Sequence, residues 1–224
     1  MFRKQSQTAH IKKGKRNMKL TWIGHSCFKI EQNGFTVITD PYQDNAVPGL
    51  SPVREAADLV VKSHDHFDHC AIDLIEQKAG GVNPFTITEV ASFHDNQQGA
   101  QRGTNTIHIF EGGGLKIAHF GDIGCTLNEE LAAALSGLDV ALLPVGGFFT
   151  VDAAAARQIV EQIRPRIVIP MHFRGETFGF DKISTVEPFL ELCETVEQIN
   201  GSSIDPDAYA DAAGLVIVLR PRNA

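Results

Sequence analysis

Four short apolar runs in this sequence are each followed within three residues by a histidine or an aspartate, and this repeated pattern limits the folds that the chain can adopt. Short runs of this kind, bounded by polar residues, are typical of buried strands. Because strand ends in α/β proteins converge on one edge of a sheet, we expect the side chains that follow the runs to meet there. The runs are 59–61, 90–93, 117–120 and 167–171, and the residues that follow them are His64, His94, Asp122 and His172.

The first run leads into a hexad at 64–69 with the sequence His-Asp-His-Phe-Asp-His. Alternate residues of an extended stretch face the same way, so His64 and His66 can point at one ion. If the chain then bends into a helical turn, Asp68 and His69 can face a second ion beside it. Imidazole and carboxylate ligands suit zinc, iron or manganese better than magnesium or calcium. A histidine-rich tract with no role in the fold is the alternative, but such a tract would be longer and would lack the preceding strand.

The 224 residues, 43% of them hydrophobic, are enough for one domain with a full core. No apolar run approaches the ~20 residues of a membrane span, so we expect no membrane partner. The four cysteines are widely spaced and form no Cys-x-x-Cys pair, which favours free thiols in a reducing cytoplasm.

Charge is unevenly distributed along the chain. Residues 1–17 contain six basic residues and no acidic one, whereas the whole chain has a net charge of −7. We interpret 1–17 as a disordered basic tail, or as sequence upstream of a start at Met18, and 18–224 as the folded domain. The acidic body makes nucleic acid an unlikely partner, because broad nucleic-acid binding requires a basic face.

The order of predicted elements indicates two sheets with helices outside them, since hairpins fill the first half and strands alternate with helices in the second. Asn33-Gly34 is a hairpin signal, and Asp152 is a helix N-cap signal. We predict strands at 19–23, 27–31, 35–39, 59–62, 85–93, 104–110, 115–120, 140–143, 166–169 and 215–219, and helices at 71–78, 128–135, 152–163 and 187–197.

The residues around these strand ends resemble the metallo-β-lactamase superfamily over about 18–220. Within it, the chain is most similar to the branch that holds ascorbate-6-phosphate lactonase and related metal-dependent hydrolases. The resemblance rests on 21–28 (Thr-Trp-Ile-Gly-His-Ser-Cys-Phe), Asp40-Pro41, the hexad, His94, 119–122 (His-Phe-Gly-Asp), 144–150 with Asp152, and 170–172 (Pro-Met-His).

The resemblance implies an αββα sandwich, an α/β (α+β) fold in which two mixed β-sheets are flanked by helices. It also implies two divalent metal ions at one edge of the sandwich, zinc first, with manganese and iron as alternatives. Asp122 would bridge the two ions, and Asp68 would be both a ligand and the catalytic group that orients the water. The implied ligands of the first ion are His64, His66 and His94, and those of the second are Asp68, His69 and His172.

Three further residues are weaker candidates for the site. His25, in a tight turn, would contact the substrate or the outer nitrogen of a ligand, and His119 would lie behind the ligands. Arg102, in a loop at 96–105 that we predict to be mobile, would bind an anionic substrate group, with a solvent-exposed arginine as the alternative. We assign no role to His10 or His108.

A hydroxide shared by two ions is a nucleophile at neutral pH, so the site predicts hydrolysis of an ester, lactone or amide bond in a small metabolite, with an anionic metabolite as one option. A phosphodiesterase or ribonuclease on the same site is the first alternative. A flavin-linked di-iron protein would replace a hexad histidine with a carboxylate, which this chain does not do. A non-catalytic metal-binding protein, with a closed coordination shell, is the remaining alternative. A homo-oligomer would be compatible with the sequence.

Overall fold

The computed structural model describes residues 18–224, so the predicted basic tail and His10 lie outside the described residues. Strands contain more of the described residues than helices do. The strands are β1 (Met18–Gly24), β2 (Cys27–Gln32), β3 (Phe35–Thr39), β4 (Ala56–Ala57), β5 (Leu59–Val61), β6 (Glu76–Gln77), β7 (Thr86–Phe93), β8 (Thr104–Gly112), β9 (Leu115–His119), β10 (Val140–Pro144), β11 (Ile167–Met171), β12 (Val196–Gln198), β13 (Ser203–Ile204) and β14 (Leu215–Val218). The helices are α1 (Glu129–Ala134), α2 (Ala153–Ile163) and α3 (Glu187–Leu190).

Two mixed sheets contain most of these strands. The first has the order β13-β1-β2-β3-β5, and the second has the order β12-β14-β11-β10-β9-β8-β7. Asn33 and Gly34 join β2 to β3, and both have positive φ, 50° and 86°, as a tight two-residue hairpin turn requires. The mixed two-sheet α/β architecture predicted from the sequence is confirmed.

The core is formed by apolar side chains from both sheets. Trp22 and Phe28 of the first sheet join Ile117, Leu142 and Ile169 of the second in one buried cluster. These strands are buried on nearly every residue, which is why they appear in the sequence as continuous apolar runs rather than as alternating patterns. The two sheets are therefore rigidly packed against each other, and their ends form a stable frame for a site.

Helix α2 connects the parallel neighbours β10 and β11 and packs its apolar face into the same core. The Asp152 side chain accepts a hydrogen bond from the Ala155 backbone N–H at 2.9 Å, so the predicted N-cap is confirmed. Asn128 caps α1 in the same way, through the Leu131 N–H. No helix among residues 18–224 is long and apolar enough to cross a bilayer. All four cysteines are free thiols.

The helix predicted at 71–78 is wrong. The chain forms one 3-10 turn at Ile72–Leu74 and then the short strand β6, which pairs with β4. The N–H of Glu76 bonds to the Glu55 carbonyl, and the N–H of Lys78 bonds to the Ala57 carbonyl. These donors are used between segments, so they cannot form the i→i−4 bonds of a helix.

The helix predicted at 187–197 ends much earlier, since α3 stops at Leu190. Beyond a few irregular turns the chain becomes strand β12, which pairs in parallel with β14 at the edge of the second sheet. The Thr195 carbonyl already accepts the Val216 N–H at 3.0 Å. Pairing with the sheet edge therefore overrides the local helical preference of this segment.

Candidate metal centre

The seven sequence-predicted ligands come together where strands of both sheets end. The hexad follows β5 of the first sheet, and the other three residues follow β7, β9 and β11 of the second. Within the hexad, the His69 N–H bonds to the His66 carbonyl at 2.9 Å, so the chain bends into a turn as predicted. This turn separates His64 and His66 from Asp68 and His69, so the two halves of the hexad face different candidate ligands.

Three groups of potential ligand atoms result, and in each the atoms lie within 4.8 Å of one another. One combines Asp40 with His64 and His69, and the remaining two hold the predicted ligands other than Asp122. Of these two, one group contains His64, His66 and His94, whose ring centroids are 4.6 to 5.0 Å apart. The other group consists of His25, Asp68, His69 and His172. The division matches the two predicted sets of ligands, with His25 as an addition to the second.

The Asp122 carboxylate lies between these two groups. Its Oδ2 is 3.4 Å from His94 Nε2, 3.2 Å from His69 Nε2 and 3.1 Å from His172 Nε2. Burial would raise the pKa of Asp122, but the charges of His172 and His69 outweigh burial and hold the pKa well below its usual range. One ionised oxygen thus contacts histidines of both groups, which is the position that a bridging ligand requires.

The histidines around Asp122 have buried nitrogens that make no hydrogen bond. These include Nε2 of His64, His69 and His172. The Nε2 atoms of His69 and His172 lie close to the Asp122 oxygen but lack hydrogen-bond alignment. Because a buried polar atom without a partner costs free energy, such a set indicates that another species completes the site. Imidazole nitrogens and carboxylates fit a transition-metal ion, so the residues present suit the implied metals.

Asp40, which the sequence analysis did not select as a site residue, fixes the orientation of two of these histidines. Its Oδ2 lies 2.8 Å from His69 Nδ1 and accepts the Ser63 hydroxyl at 2.6 Å. Ser63 Oγ is in turn 2.8 Å from Nδ1 of His64. If each Nδ1 donates, both rings keep an unprotonated Nε2 directed at the site. One carboxylate thereby orients one ligand from each half of the hexad.

Burial and nearby charges have opposite effects on the pKa values of Asp40 and His69. Burial would raise the pKa of Asp40, but His119, His69 and Ser63 lower it to about 2. Burial would lower the pKa of His69, but its contacts with Asp122 and Asp40 raise it well above the ordinary value. Burial, followed by the charge of His69, lowers the pKa of His64 to about 3. In the ion-free protein, contacts with two carboxylates therefore favour the protonated form of His69, and burial favours the neutral form of His64.

His25 is placed in the site by the structure. Its Nε2 is 3.3 Å from Asp68 Oδ2, and its ring lies 4.1 Å from that of His172. Burial and then the charge of His172 lower its pKa to about 4. His25 and His172 both have positive φ, 53° and 51°, and the His172 N–H bonds to the His25 carbonyl. Backbone conformations of this kind outside glycine carry strain and concentrate at functional sites.

His119 lies behind the ligands rather than among them. Its Nε2 is 2.7 Å from the Ser26 carbonyl, and its Nδ1 accepts the Gly121 N–H at 3.2 Å. The Asp122 N–H donates to Asn105 Oδ1 at 2.9 Å, which holds the bridging residue from the other side. His108, to which the sequence assigned no role, is buried beside His119 on the neighbouring strand and does not contact a predicted ligand.

Arg102 lines the same cavity as the predicted ligands, but one of its donors is already used within the chain. Its Nη2 donates to the Phe148 carbonyl at 3.0 Å, and the guanidinium lies over the Phe149 ring. The loop that carries it is organised around Asp95, whose carboxylate accepts four backbone N–H bonds from Gln97, Gly99, Gln101 and Arg102. The structure therefore shows an internally hydrogen-bonded loop at the position where we predicted a mobile one.

A cavity of about 310 Å³ opens directly onto the ligand groups. Its lining residues are His66, Phe67, Asp68, His94, Arg102, Asp122, Phe149 and Phe180. A larger cavity of about 750 Å³ lies elsewhere, near Arg157, Arg164 and Arg166. Arg157 pairs with Glu161, and Arg166 pairs with Asp139, so we assign the candidate site to the smaller cavity with its unpartnered nitrogens.

Comparison with known proteins agrees with this geometry. The Beta-lactamase superfamily domain family matches residues 19–172. The chain belongs to this superfamily. The metallo-β-lactamase resemblance inferred from the sequence is confirmed.

Two relatives identify a narrower family within this superfamily. A UPF0173 metal-dependent hydrolase of Aeropyrum pernix is 30% identical over an alignment of 198 positions, which covers 69% of this chain and 82% of the relative. A UPF0173 metal-dependent hydrolase of Thermoplasma acidophilum is 31% identical over an alignment of 218 positions, which covers 80% of this chain and 92% of the relative. Within the superfamily, this protein is therefore grouped with the UPF0173 metal-dependent hydrolases.

A solved structure from the same superfamily, from Thermotoga maritima, superimposes with a TM-score of 0.73 at 29% identity, covering 91% of this chain and 99% of the other. It is described as a candidate Zn-dependent hydrolase. A metallo hydrolase of Ignicoccus hospitalis, at 23% identity and a TM-score of 0.60 over 91% of this chain and 95% of the other, shares the fold.

Proposed function

We propose that this superfamily member is a binuclear metal-dependent hydrolase that cleaves an ester, lactone or amide-type bond in a small molecule. The observation that carries the proposal is the position of Asp122. Its carboxylate lies between two groups of histidines whose buried nitrogens make no hydrogen bond. The relatives named above as metal-dependent hydrolases support the same class of activity.

His64, His66 and His94 would hold one ion, and Asp68, His69 and His172 would hold the other, with Asp122 shared between them. When bound, two divalent ions supply a hydroxide nucleophile at neutral pH and polarise the scissile bond. Zinc is the first expectation, and manganese and iron fit the same donors.

The chain itself contributes Asp68 as the group that orients the attacking water. Burial would raise the pKa of Asp68, but its contact with His25 Nε2 and the charge of His69 lower it, so the carboxylate is ionised at neutral pH. It lines the cavity, where it can accept a hydrogen bond from water and receive its proton. His25 holds Asp68 in place on the side away from the cavity mouth.

The cavity favours a small organic substrate over a nucleic acid. Apolar side chains form most of its walls beyond the predicted ligands, and the chain is acidic overall. Phosphodiester hydrolysis at the same site is therefore our second expectation, after hydrolysis of an ester, lactone or amide. A homo-oligomer and a cytoplasmic location likewise stay predictions.

The test combines metal analysis with two variants and a matched control. We expect about two equivalents of metal on the purified protein and chelator-sensitive turnover on a panel of esters, lactones and phosphodiesters. His66→Ala and Asp68→Ala should abolish turnover while the far-UV circular dichroism spectrum of the chelated protein stays unchanged. Asp65→Ala is the control, because Asp65 belongs to the same hexad but pairs with Lys62 outside the cavity. Less than one equivalent of metal under metal-replete conditions would refute the binuclear site.

A further inference from the structure

Three phenylalanines line the candidate cavity and a fourth packs against one of them, and none of these rings has a role in the proposed hydrolysis. Phe67, Phe149 and Phe180 line the cavity, and Phe148, which lines a neighbouring pocket, packs against Phe149; we call these four rings the aromatic mouth. Phe67 is 51% exposed and Phe148 is 56% exposed. Large exposed aromatic side chains beside a cavity are typical of ligand-binding surfaces.

Three rings of the aromatic mouth form a row of contacts, of which Phe149 and Phe180 line the cavity beside the predicted ligands. The ring centroids of Phe148 and Phe149 are 4.7 Å apart, and those of Phe149 and Phe180 are 6.0 Å apart. Phe180 then contacts the ring of His25 at 5.5 Å, and His25 contacts His172. A molecule that reaches the predicted metal ligands along this row must therefore pass over apolar surface.

The backbone holds two of these rings toward solvent. Phe148 has a φ of 61°, a strained conformation for a residue with a side chain, and Arg102 fixes its carbonyl through the hydrogen bond described above. Phe67 projects from the hexad itself, with its carbonyl bonded to the Gln43 N–H at 3.0 Å. Neither ring is needed to fill the core, so their placement requires another explanation.

We propose that the substrate of this hydrolase carries an apolar alkyl or aryl group that packs against the aromatic mouth beside the scissile bond. The proposal rests on the proposed function, and it narrows the substrate class from small metabolites in general to amphipathic esters, lactones or amides. It favours an apolar group over a phosphorylated sugar, because three of the four cavity-lining residues outside the predicted ligand set are phenylalanines.

The experiment measures binding as well as turnover. Dissociation constants of the metal-loaded protein are determined by calorimetry for acetate, butanoate, hexanoate and phenylacetate, and for glucose 6-phosphate as the polar anion. We expect affinity to increase about threefold to fourfold for each added methylene group, as burial of one CH₂ predicts, with a negative heat-capacity change. All four acids have the same carboxylate. The change in affinity with chain length therefore reports the apolar contact and not a contact of the carboxylate with the ions.

Substitutions test whether the aromatic mouth causes the dependence of affinity on chain length. Phe67→Ser and Phe149→Ser, at two cavity-lining positions, should each reduce the dependence on chain length, and the double variant should remove most of it. Val82→Ser is the matched control, because Val82 is 88% exposed and is not among the cavity-lining residues. Affinity that does not depend on chain length, or glucose 6-phosphate binding more tightly than hexanoate, would overturn the proposal.

Parallel assays on ethyl esters of the same acids separate this inference from the proposed function. A chain-length dependence in binding without hydrolysis would support the aromatic subsite and contradict the hydrolase assignment for these esters. Hydrolysis at equal rates along the series, with equal affinities, would support the hydrolase and contradict the subsite.

Discussion

At the scale of single residues, Asp40 contributes to the site although it lies outside the predicted ligand set. It orients His69 directly and His64 through Ser63, so it acts on both halves of the hexad at once. Outer carboxylates of this kind fix the tautomer and the angle of a metal-binding imidazole. The loss of Asp40 should therefore weaken metal binding without removing a ligand.

We expect Asp40→Asn to reduce metal affinity by about 10- to 100-fold, the range found for such outer groups. Asparagine tolerates the positive φ of 44° at this position, so the backbone should be retained. Metal affinity is measured by competition with a chromophoric chelator. Asp44→Asn, at an exposed aspartate paired with Arg54, is the control and should leave affinity unchanged. An equal loss in both variants would argue against an orienting role.

Most of the candidate ligands could be predicted because each is a metal-binding residue type placed at a strand end. Asp40 also follows a strand, and the sequence analysis noted Asp40-Pro41 only as part of the resemblance. Its hydrogen bonds join residues 23 and 29 positions apart, which no local pattern reveals. Asn105 was missed for the same reason, because its contact with Asp122 depends on the pairing of β8 with β9.

At the scale of elements, the loop after β7 depends on one carboxylate. Desolvation would raise the pKa of Asp95, but the four backbone N–H bonds outweigh it and lower the pKa to about 2. Those bonds fix the segment that carries Arg102 to the wall of the cavity.

We expect Asp95→Ala to release this loop, because four backbone donors lose their acceptor. Amide hydrogen exchange at Gln97, Gly99, Gln101 and Arg102 should accelerate, while exchange in β10 and β11 stays slow. Asn96→Ala, at the exposed neighbouring position, should leave the same amides protected. Unchanged protection in Asp95→Ala would show that the loop is held by other contacts.

Helix α2 offers a second test at this scale. Replacing Asp152 by alanine leaves the Ala155 N–H without its cap and should lower the free energy of unfolding by about 1 kcal/mol. Asp152→Asn keeps a side-chain oxygen and should recover most of that loss. Urea unfolding monitored by circular dichroism measures both. Equal stability of the alanine and asparagine variants would contradict the capping role.

The two wrong helix predictions have one physical cause. Both segments contain residues that are compatible with a helix, and both lie beside a strand with free hydrogen-bonding groups, β4 in one case and β14 in the other. Pairing with that strand satisfies the backbone and decides the conformation. Long buried strands such as β10 were predicted correctly because their apolar runs already imply burial on both faces.

At the scale of the whole molecule, the buried histidines make the stability of the ion-free protein depend on pH. The folded pKa values of His25 and His64, about 4 and about 3, lie below the unfolded value of about 6.5. The unfolded chain therefore binds more protons in this window, and stability falls as pH is lowered from 6.5 toward 4. His69 has a raised pKa, so its contribution is complete below pH 6.5 and is lost as pH rises through its folded pKa.

We therefore expect the chelated protein to be most stable near pH 6.5, with lower denaturant midpoints on both sides. Guanidinium unfolding between pH 4.5 and pH 8.5 measures the profile. His25→Asn removes one depressed histidine and tolerates the positive φ, so its acid limb should be shallower. A chelated wild-type protein that becomes more stable between pH 6.5 and pH 4.5 would contradict the assignment.

The candidate site lies on the seam between the two sheets, with the hexad on one side and His94, Asp122 and His172 on the other. This placement has a consequence for biosynthesis. On the ribosome the hexad emerges early, whereas His172 emerges only after most of the second sheet has been made. A nascent chain that ends before His172 can expose most of the ligands but cannot complete the second ligand group. If the candidate ligands bind two ions as proposed, the second ion should consequently bind late in synthesis, after the two sheets have docked.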